Sequence, residues 1–362
     1  MWISHISLEA FRNYQNISVD FDPGINIFIG DNAQGKTNLL ESIYYLANAT
    51  SFKKIRDRDI ISFDKEAMKL DGMIRKGEYF KHVTIDTSSA DKTIVVNEVK
   101  YERNKDLKSL FSLVLFTPED LLIIKEGPGL RRDLIDEIIT SIDFSYKATK
   151  KEYDKLIFER NKLLKSQKSA YFKDQLDAFD KSLVKDGFKI YKTRAKFIKF
   201  IDRFARDYHL RTSSGNESLS LSYKPDIAAK SIEEYYKEFL VDRDNDLKYM
   251  TTQRGIHKDD IDIKINDKLL KSFGSQGQQR SAILNIKLAQ VRLIREVTGD
   301  KSVILFDDVF SELDEKRSHF LLENLEGYQT IITATNTKSL DMVDRSNIRY
   351  INNGKIFDKE IS

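Results

Sequence analysis

Apolar and polar positions alternate along residues 2–8 and 17–21, the period of two that a half-buried strand imposes. Residues 25–29 form a nearly continuous apolar run ending at Gly30. Residues 36–47 place Leu39, Leu40, Ile43 and Leu46 at helical spacings. Residues 68–74, 80–85 and 93–96 read as further strands between turn residues, and 112–116 (SLVLF) as a buried strand stopped by Thr117-Pro118. Strand patterning returns at 261–265 and 269–273, a hairpin turning at Asn266-Asp267. A helix over 280–297 follows, and then the buried runs SVILF (302–306) and QTIITA (329–334). Short strands interleaved with helices predict an α/β fold with a mixed sheet, and no internal repeat is visible.

The middle of the chain differs. Residues 147–207 hold no Pro, one Gly, 18 Lys or Arg and 9 Asp or Glu, a local net charge of +9. The whole chain carries +3, so the remainder carries −6. Lys181, Lys185, Lys189, Lys192, Lys196, Lys199 and Arg203 recur at steps of three or four and fall on one stripe of a helix. Val184, Phe188, Tyr191, Ala195, Ile198, Ile201 and Ala205 fall opposite. A charge run is usually a solvated face, but such faces mix signs; a single-sign stripe equally fits a phosphate backbone.

Composition narrows the classes. A chain of 362 residues, 40% hydrophobic and 32% charged, is long enough for one large domain or two lobes. It contains no Cys, which excludes a disulfide scaffold, a Cys-ligated zinc site and a thiol nucleophile, and fits a reducing cytoplasm. The five His show no metal-ligand spacing. No apolar run approaches the roughly 18 residues of a membrane span, and the first residues lack a signal-peptide pattern.

Three motifs carry chemistry. Gly30 to Thr37 (GDNAQGKT) matches G-x-x-x-x-G-K-[ST] between a strand and a helix. Its glycines let the backbone N–H groups of Asp31, Asn32, Ala33 and Gln34 wrap a phosphate at a helix N-terminus. Lys36 would neutralise the β- and γ-phosphates, and the Thr37 hydroxyl would ligate Mg²⁺. VILFDD (303–308) supplies an apolar strand ending in acids: Asp307 to hold Mg²⁺, Asp308 to orient or deprotonate a water. An acid pair can also simply cap the next helix. SQGQQR (275–280) opens a helix with Ser275 and Gly277, either an ordinary capping box with Gln278 or a second phosphate-binding helix end. One γ-phosphate rarely needs two helix ends, so the second suggests the nucleotide of a partner subunit.

In this order, followed by Ser311-Glu312-Leu313-Asp314, the motifs resemble those of ABC-type ATPases, and the chain is most similar to the RecF family of bacterial DNA-repair ATPases related to SMC proteins. The blocks that carry the resemblance are LEAFRNY (8–14), GDNAQGKTNLLE (30–41), GxxLRRDLID (127–136), GIHKDD (255–260), SQGQQR and DDVFSELD (307–314). They cover both ends and most of the chain. The resemblance implies a two-lobed, SMC-like P-loop ATPase head. Lobe I would be 1–116 with 297–362, and lobe II 117–296, with a basic helical hairpin near 147–208. It implies two copies closing around two ATP molecules, with Ser275, Gly277 and Gln278 on the opposite subunit's ATP and Asp314 crossing the interface. Arg12 and Asn13 match a block near the nucleotide.

Three departures stand out. Asp308 replaces the Glu of most ABC ATPases, which implies slow hydrolysis. Thr335 and Asn336 stand where a switch histidine is usual. No Q-loop glutamine follows Phe116, where Glu119 or Asp120 is available instead.

The function implied is an ATP-gated DNA clamp at single-strand gaps, a DNA-stimulated timer rather than a metabolic enzyme. It would work with RecO and RecR to load RecA, in replication and the SOS response. The alternative, an ABC-transporter ATPase subunit, shares the motifs but lacks a basic hairpin of this kind and normally carries the switch histidine. A long-armed SMC-type protein is excluded by length, since arms of about 30 residues span only about 45 Å.

Overall fold

The computed structural model describes residues 1–88, 92–101, 111–166, 171–336 and 347–359. By internal contact the chain divides into Met1–Asp120 with Ile294–Ser362, and Leu121–Leu293.

The first unit opens with β1 (Trp2–Phe11), β2 (Tyr14–Asp20), β3 (Ile25–Ile29) and α1 (Lys36–Asn48). It continues through β4 (Lys69–Lys76), β5 (Tyr79–Asp86), β6 (Thr93–Val96), β7 (Val99–Tyr101) and β8 (Leu113–Phe116). The second unit holds α2 (Leu122–Lys125), α3 (Pro128–Ile142), α4 (Phe144–Ser166), α5 (Phe172–Thr212), β9 (Leu219–Lys224), α6 (Ile232–Leu240) and α7 (Arg243–Tyr249). It ends with β10 (Asp260–Ile265), β11 (Lys268–Leu269), α8 (Leu270–Phe273) and most of α9 (Gln276–Thr298). The chain then returns to the first unit with β12 (Val303–Asp307), α10 (Glu315–Asn324), β13 (Thr330–Ala334), β14 (Ile348–Asn352) and β15 (Lys355–Phe357).

Two six-stranded sheets form the first unit. One is an antiparallel sheet in the order β2-β1-β4-β5-β6-β7, built from the alternating N-terminal segments. The other, β15-β14-β3-β13-β12-β8, is parallel except for β15. Its central strands INIFI, VILFD and TIITA read as almost unbroken apolar runs because a parallel sheet is covered on both faces. Leu39, Leu40, Ile43 and Leu46 of α1 are fully buried in one core with Ile3, Ile6 and Leu8 of β1 and with Leu305 and Ile331. Each such side chain contributes about 1.5–3 kcal/mol of burial. The fold class is therefore α/β, with a mixed sheet around the P-loop strand.

In the second unit, α4 and α5 run antiparallel, with Arg160 on Asp180 and Lys189 on Thr149. Their lengths are unequal, 23 and 41 residues, where the sequence suggested about 30 each. The three-stranded sheet β11-β10-β9 is antiparallel. One local expectation changes: 269–273 is not a strand. Pairing ends at Leu269, and 270–273 forms the helical turn α8, whose Leu270 is buried and whose carbonyl accepts from Gln279 Nε2 at 3.2 Å.

Three buried arginines organise this unit, none evident from apolar patterning. Arg194 on α5 donates to both carboxylate oxygens of Asp136, to Asp259 and to the carbonyl of Ile256 at 2.7–2.9 Å. Arg131 pairs with Asp260 at 2.7 and 3.0 Å, and Arg132 donates to the carbonyl of Asp259. Burial pushes His257 down to about 4, so the ring is neutral; Nε2 donates to the Thr252 carbonyl and Nδ1 accepts from Tyr153. The blocks GxxLRRDLID and GIHKDD thus meet in one hydrogen-bonded knot. Arg160, also fully buried, pairs with Asp180 and Asp246 and donates to Thr252.

Candidate active site

The site is built where three neighbouring strands end. β3 leads into the loop 30–35, β12 ends in Asp307, and β13 lies between them, pairing with both in parallel register. The loop needs its glycines. A Cβ on Gly30 would lie 2.3 Å from the Ile351 carbonyl oxygen. Gly35 has φ +120°, and a Cβ there would lie 2.7 Å from Asn13 Nδ2. Gly35 is the N-cap of α1 and has no side chain to cap it, so the helix's first N–H groups are left for a ligand.

A pocket of about 130 Å³ is lined by Asn32, Ala33, Gly35, Lys36, Thr37, Asn38, Asp307 and Asp308. Lys36 Nζ folds back on the loop carbonyls of Gly30 (2.6 Å) and Asp31 (3.0 Å). Burial lowers its pKa, against the pull of Asp308, Asp307 and Asp31. Thr37 Oγ1 and Thr333 Oγ1 each donate to Asp307 Oδ1 at 2.9 Å. Asp307 is 7% exposed, and burial raises its pKa in spite of those two hydroxyls. Asp308 takes a left-handed backbone (φ +52°), pinned by its N–H to the Thr333 carbonyl at 3.1 Å. Its Oδ1 is buried without a hydrogen-bond partner. Such an orphan costs about 1–3 kcal/mol, and only a donor or a cation could satisfy it. The pocket therefore fits a polyphosphate with Mg²⁺: glycine-backed N–H groups, one buried ammonium, one hydroxyl and two acids converge on it. The acid pair does not cap the next helix; Asp314 caps α10, accepting from Arg317 N at 2.9 Å.

Not every predicted residue reaches this pocket. Arg12 commits its guanidinium to the fully buried Glu41 (2.9 and 2.8 Å) and to the Asp59 carbonyl. Burial alone would raise Glu41, but hydrogen bonds from Arg12 and Ser51, with the charge of Lys53, hold it below the usual carboxylate range. Asn13 braces the loop from outside, donating to the Gln34 carbonyl and accepting from Asn38. Gln34 Oε1 is taken by Asn353 N. Asp120 accepts from Thr117 N, whereas Glu119 is exposed and its charge is felt at Asp307. Thr335 and Asn336 follow β13. Sequence reasoning missed Thr333 and Glu41; the signal for Thr333 was a hydroxyl inside the buried strand TIITA, which it shares with Thr330.

Ser275, Gly277 and Gln278 belong to the other unit. Ser275 and Gln278 form a reciprocal capping box: Gln278 N donates to Ser275 Oγ at 3.2 Å and Ser275 N to Gln278 Oε1 at 2.9 Å. On α5, Lys181, Lys185, Lys189, Lys192, Lys196, Lys199 and Arg203 are all exposed. Val184, Ile198, Ile201 and Ala205 are buried on the opposite side. The pocket brings one ammonium and two carboxylates together, and the stripe is an exposed row of seven cations.

Strand order, P-loop and acid-ended strand define an ABC-type, SMC-like ATPase head. The RecF/RecN/SMC N terminal domain model matches residues 2–356. The DNA replication and repair protein RecF of Clostridium botulinum (strain Eklund 17B / Type B) is 37% identical over 98% of this chain and 99% of its own. RecF of Lachnospira eligens is 38% identical over 97% of both. A solved structure of the recombination mediator protein RecF-ATPrS in the RecFOR pathway superposes with a TM-score of 0.89 at 32% identity, covering 98% of this chain and 97% of that one. An Smc head domain from Pyrococcus furiosus, at TM-score 0.57 and 14% identity, shares the fold alone. The chain belongs to the RecF family.

Proposed function

We propose that this protein is an ATP-gated DNA-binding ATPase of recombinational repair. The observation that carries the reading is the pocket where Lys36, Thr37, Asp307 and Asp308 converge, one carboxylate oxygen of Asp308 being buried without a partner. Gly30, Asp31, Asn32, Ala33, Gln34 and Gly35 wrap the phosphates, and Lys36 leaves its loop carbonyls to neutralise them. Thr37 and Asp307 would hold Mg²⁺, which would supply positive charge to the phosphoryl group in transfer. Asp308 orients the attacking water and takes its proton; its short side chain supports slow hydrolysis. Arg12 and Asn13 act from behind the loop, Arg12 through Glu41 and Asn13 through Gln34.

Two copies close on two nucleotides. Ser275, Gly277 and Gln278 of one copy meet the nucleotide of the other, with Asp314 at the contact, and hydrolysis releases the pair. The closed dimer presents the exposed stripe Lys181–Arg203 to the duplex backbone at single-strand gaps, a sequence-independent, salt-sensitive contact. RecF proteins are named for DNA replication and repair, and a solved relative for the RecFOR pathway. On that basis RecO and RecR are its partners, RecA loading its outcome and the cytoplasm its place, with roles in replication and the SOS response. The transporter alternative is not favoured, because the relatives reported are DNA replication and repair proteins.

Sedimentation velocity of the full chain tests the reading. Mg-ATP is expected to raise the mass of wild type, but not of Lys36→Ala or Ser275→Arg. Tight Mg-ATP binding with no change of mass in wild type would overturn the clamp.

A further inference from the structure

The carboxamide of Gln278 is held at both ends. Its oxygen accepts from Ser275 N, so its Nε2 faces Glu217 Oε1, to which it donates at 2.8 Å. Glu217 lies in the turn after α5, and its other oxygen, Oε2, is 3.0 Å from Nε2 of His209, a fully buried ring in the last turn of α5. On the far side of that ring, Asn285 Nδ2 lies 3.1 Å from His209 Nδ1. An amide NH₂ can only donate, so Nδ1 carries the lone pair and the ring proton sits on Nε2, aimed at Glu217. The Thr212 hydroxyl lies between two acceptors, the Tyr208 carbonyl at 2.7 Å and Asn285 Oδ1 at 3.3 Å, and its single proton serves one of them at a time.

The chain returns to the helix it left. Gln278, Asn285 and Arg292 are spaced seven apart on α9 and share one face. Arg292 lies over the Phe204 ring (4.4 Å to its centre) and 3.7 Å from Asp207. Arg203, the last cation of the basic stripe, lies over the same ring at 4.6 Å. One polar seam thus joins Gln278 to the end of the helix that carries the stripe.

We infer that Glu217 and His209 are positioning residues for Gln278, and that the seam Gln278–Glu217–His209–Asn285 couples occupancy of the basic stripe to occupancy of the nucleotide site that Gln278 serves. The inference rests on the reading that Gln278 meets the nucleotide of a second copy. Tilting or ordering the end of α5 moves His209 and Glu217, and Gln278 must follow or lose a hydrogen bond. By linkage the effect runs both ways: duplex favours nucleotide closure as much as nucleotide favours duplex binding.

The measurement is the ratio of duplex Kd without Mg-ATP to that with Mg-ATP, on the full chain at fixed salt, with thermal unfolding as the folding control. Glu217 is a quarter exposed, so Glu217→Ala leaves the core intact. The ratio is expected to fall about fivefold or more in Glu217→Ala. Glu217→Gln is expected to keep most of it, because the seam can reverse direction. The new carboxamide would still accept from Gln278 and would donate to His209 Nε2; the ring proton would move to Nδ1, and Asn285 would turn its oxygen to meet it. His209→Leu, which has no ring nitrogen, is expected to behave like Glu217→Ala. A purely structural staple would lower the unfolding temperature and leave the ratio alone, and that outcome overturns the inference. Equal loss in Glu217→Gln would show that charge rather than the hydrogen-bonded seam matters, and overturns it too. A ratio of one in wild type overturns it together with the clamp reading, whereas a high ratio that survives Glu217→Ala overturns the inference alone.

Discussion

Thr333 holds Asp307: its hydroxyl lies 2.9 Å from Oδ1, the same oxygen that Thr37 reaches at 2.9 Å. In the proposed function Thr37 would also ligate Mg²⁺, which would leave Thr333 as the partner that keeps the carboxylate in place. Thr333→Val keeps the shape and β-propensity of the strand but removes the donor. The expected loss is about 1–3 kcal/mol of carboxylate positioning, read as about a 5- to 150-fold weakening of apparent Mg²⁺ affinity. A Mg²⁺ titration of nucleotide binding checks it, with little change in unfolding temperature.

Asp307 also predicts a trade between stability and function. Burial raises its folded-state pKa above the ordinary 3.8, so the folded chain binds the extra proton and stability declines as pH rises through the window just above that value. Asp307→Asn removes this penalty. The nucleotide-free variant is expected to unfold at a higher temperature than wild type at neutral pH while losing Mg²⁺-dependent hydrolysis. Calorimetry at acid and neutral pH checks the sign, since the gap between the proteins should narrow as pH falls.

Arg194 carries four hydrogen bonds to Asp136, Asp259 and the Ile256 carbonyl in the second unit. Arg194→Leu leaves two acids partly or wholly buried without their cation, an expected loss of about 3–5 kcal/mol. At about 2–4 °C per kcal/mol, the unfolding temperature falls by roughly 6–20 °C. Arg194→Lys should rescue little, because a single ammonium cannot span both carboxylates and the carbonyl.

The stripe on α5 is exposed, so Lys189→Glu, Lys192→Glu and Lys196→Glu together should leave folding intact. Loss of three phosphate contacts is expected to reduce the slope of log K against log salt by about 3. An unchanged slope would move the duplex contact to another surface.

The nucleotide pocket was legible in the sequence because its parts sit in short motifs of fixed spacing, each next to a strand whose apolar run announces it. Lys36 and Thr37 come from one octapeptide, and Asp307 and Asp308 from another motif. The stripe was legible because α5 repeats its pattern for many turns. Thr333 was not, since only the parallel register of β12 and β13 brings it to Asp307. Arg12 was placed near the nucleotide only because its block resembles one that lies there in related ATPases; in the fold its guanidinium engages Glu41, 29 positions away. Arg194 and Arg160 read as members of a basic helix, because nothing local separates a solvated cation from one that finds distant acids. The short segment 269–273 misled for a related reason: Leu270 satisfies a strand pattern and a helical turn equally well.

The most direct test of the account is fluorescence anisotropy of a labelled gapped duplex titrated with the full chain, with and without Mg-ATP. The account predicts tighter binding with Mg-ATP, abolished by Lys36→Ala and weakened by salt. Nucleotide binding with no duplex affinity in either state would contradict it.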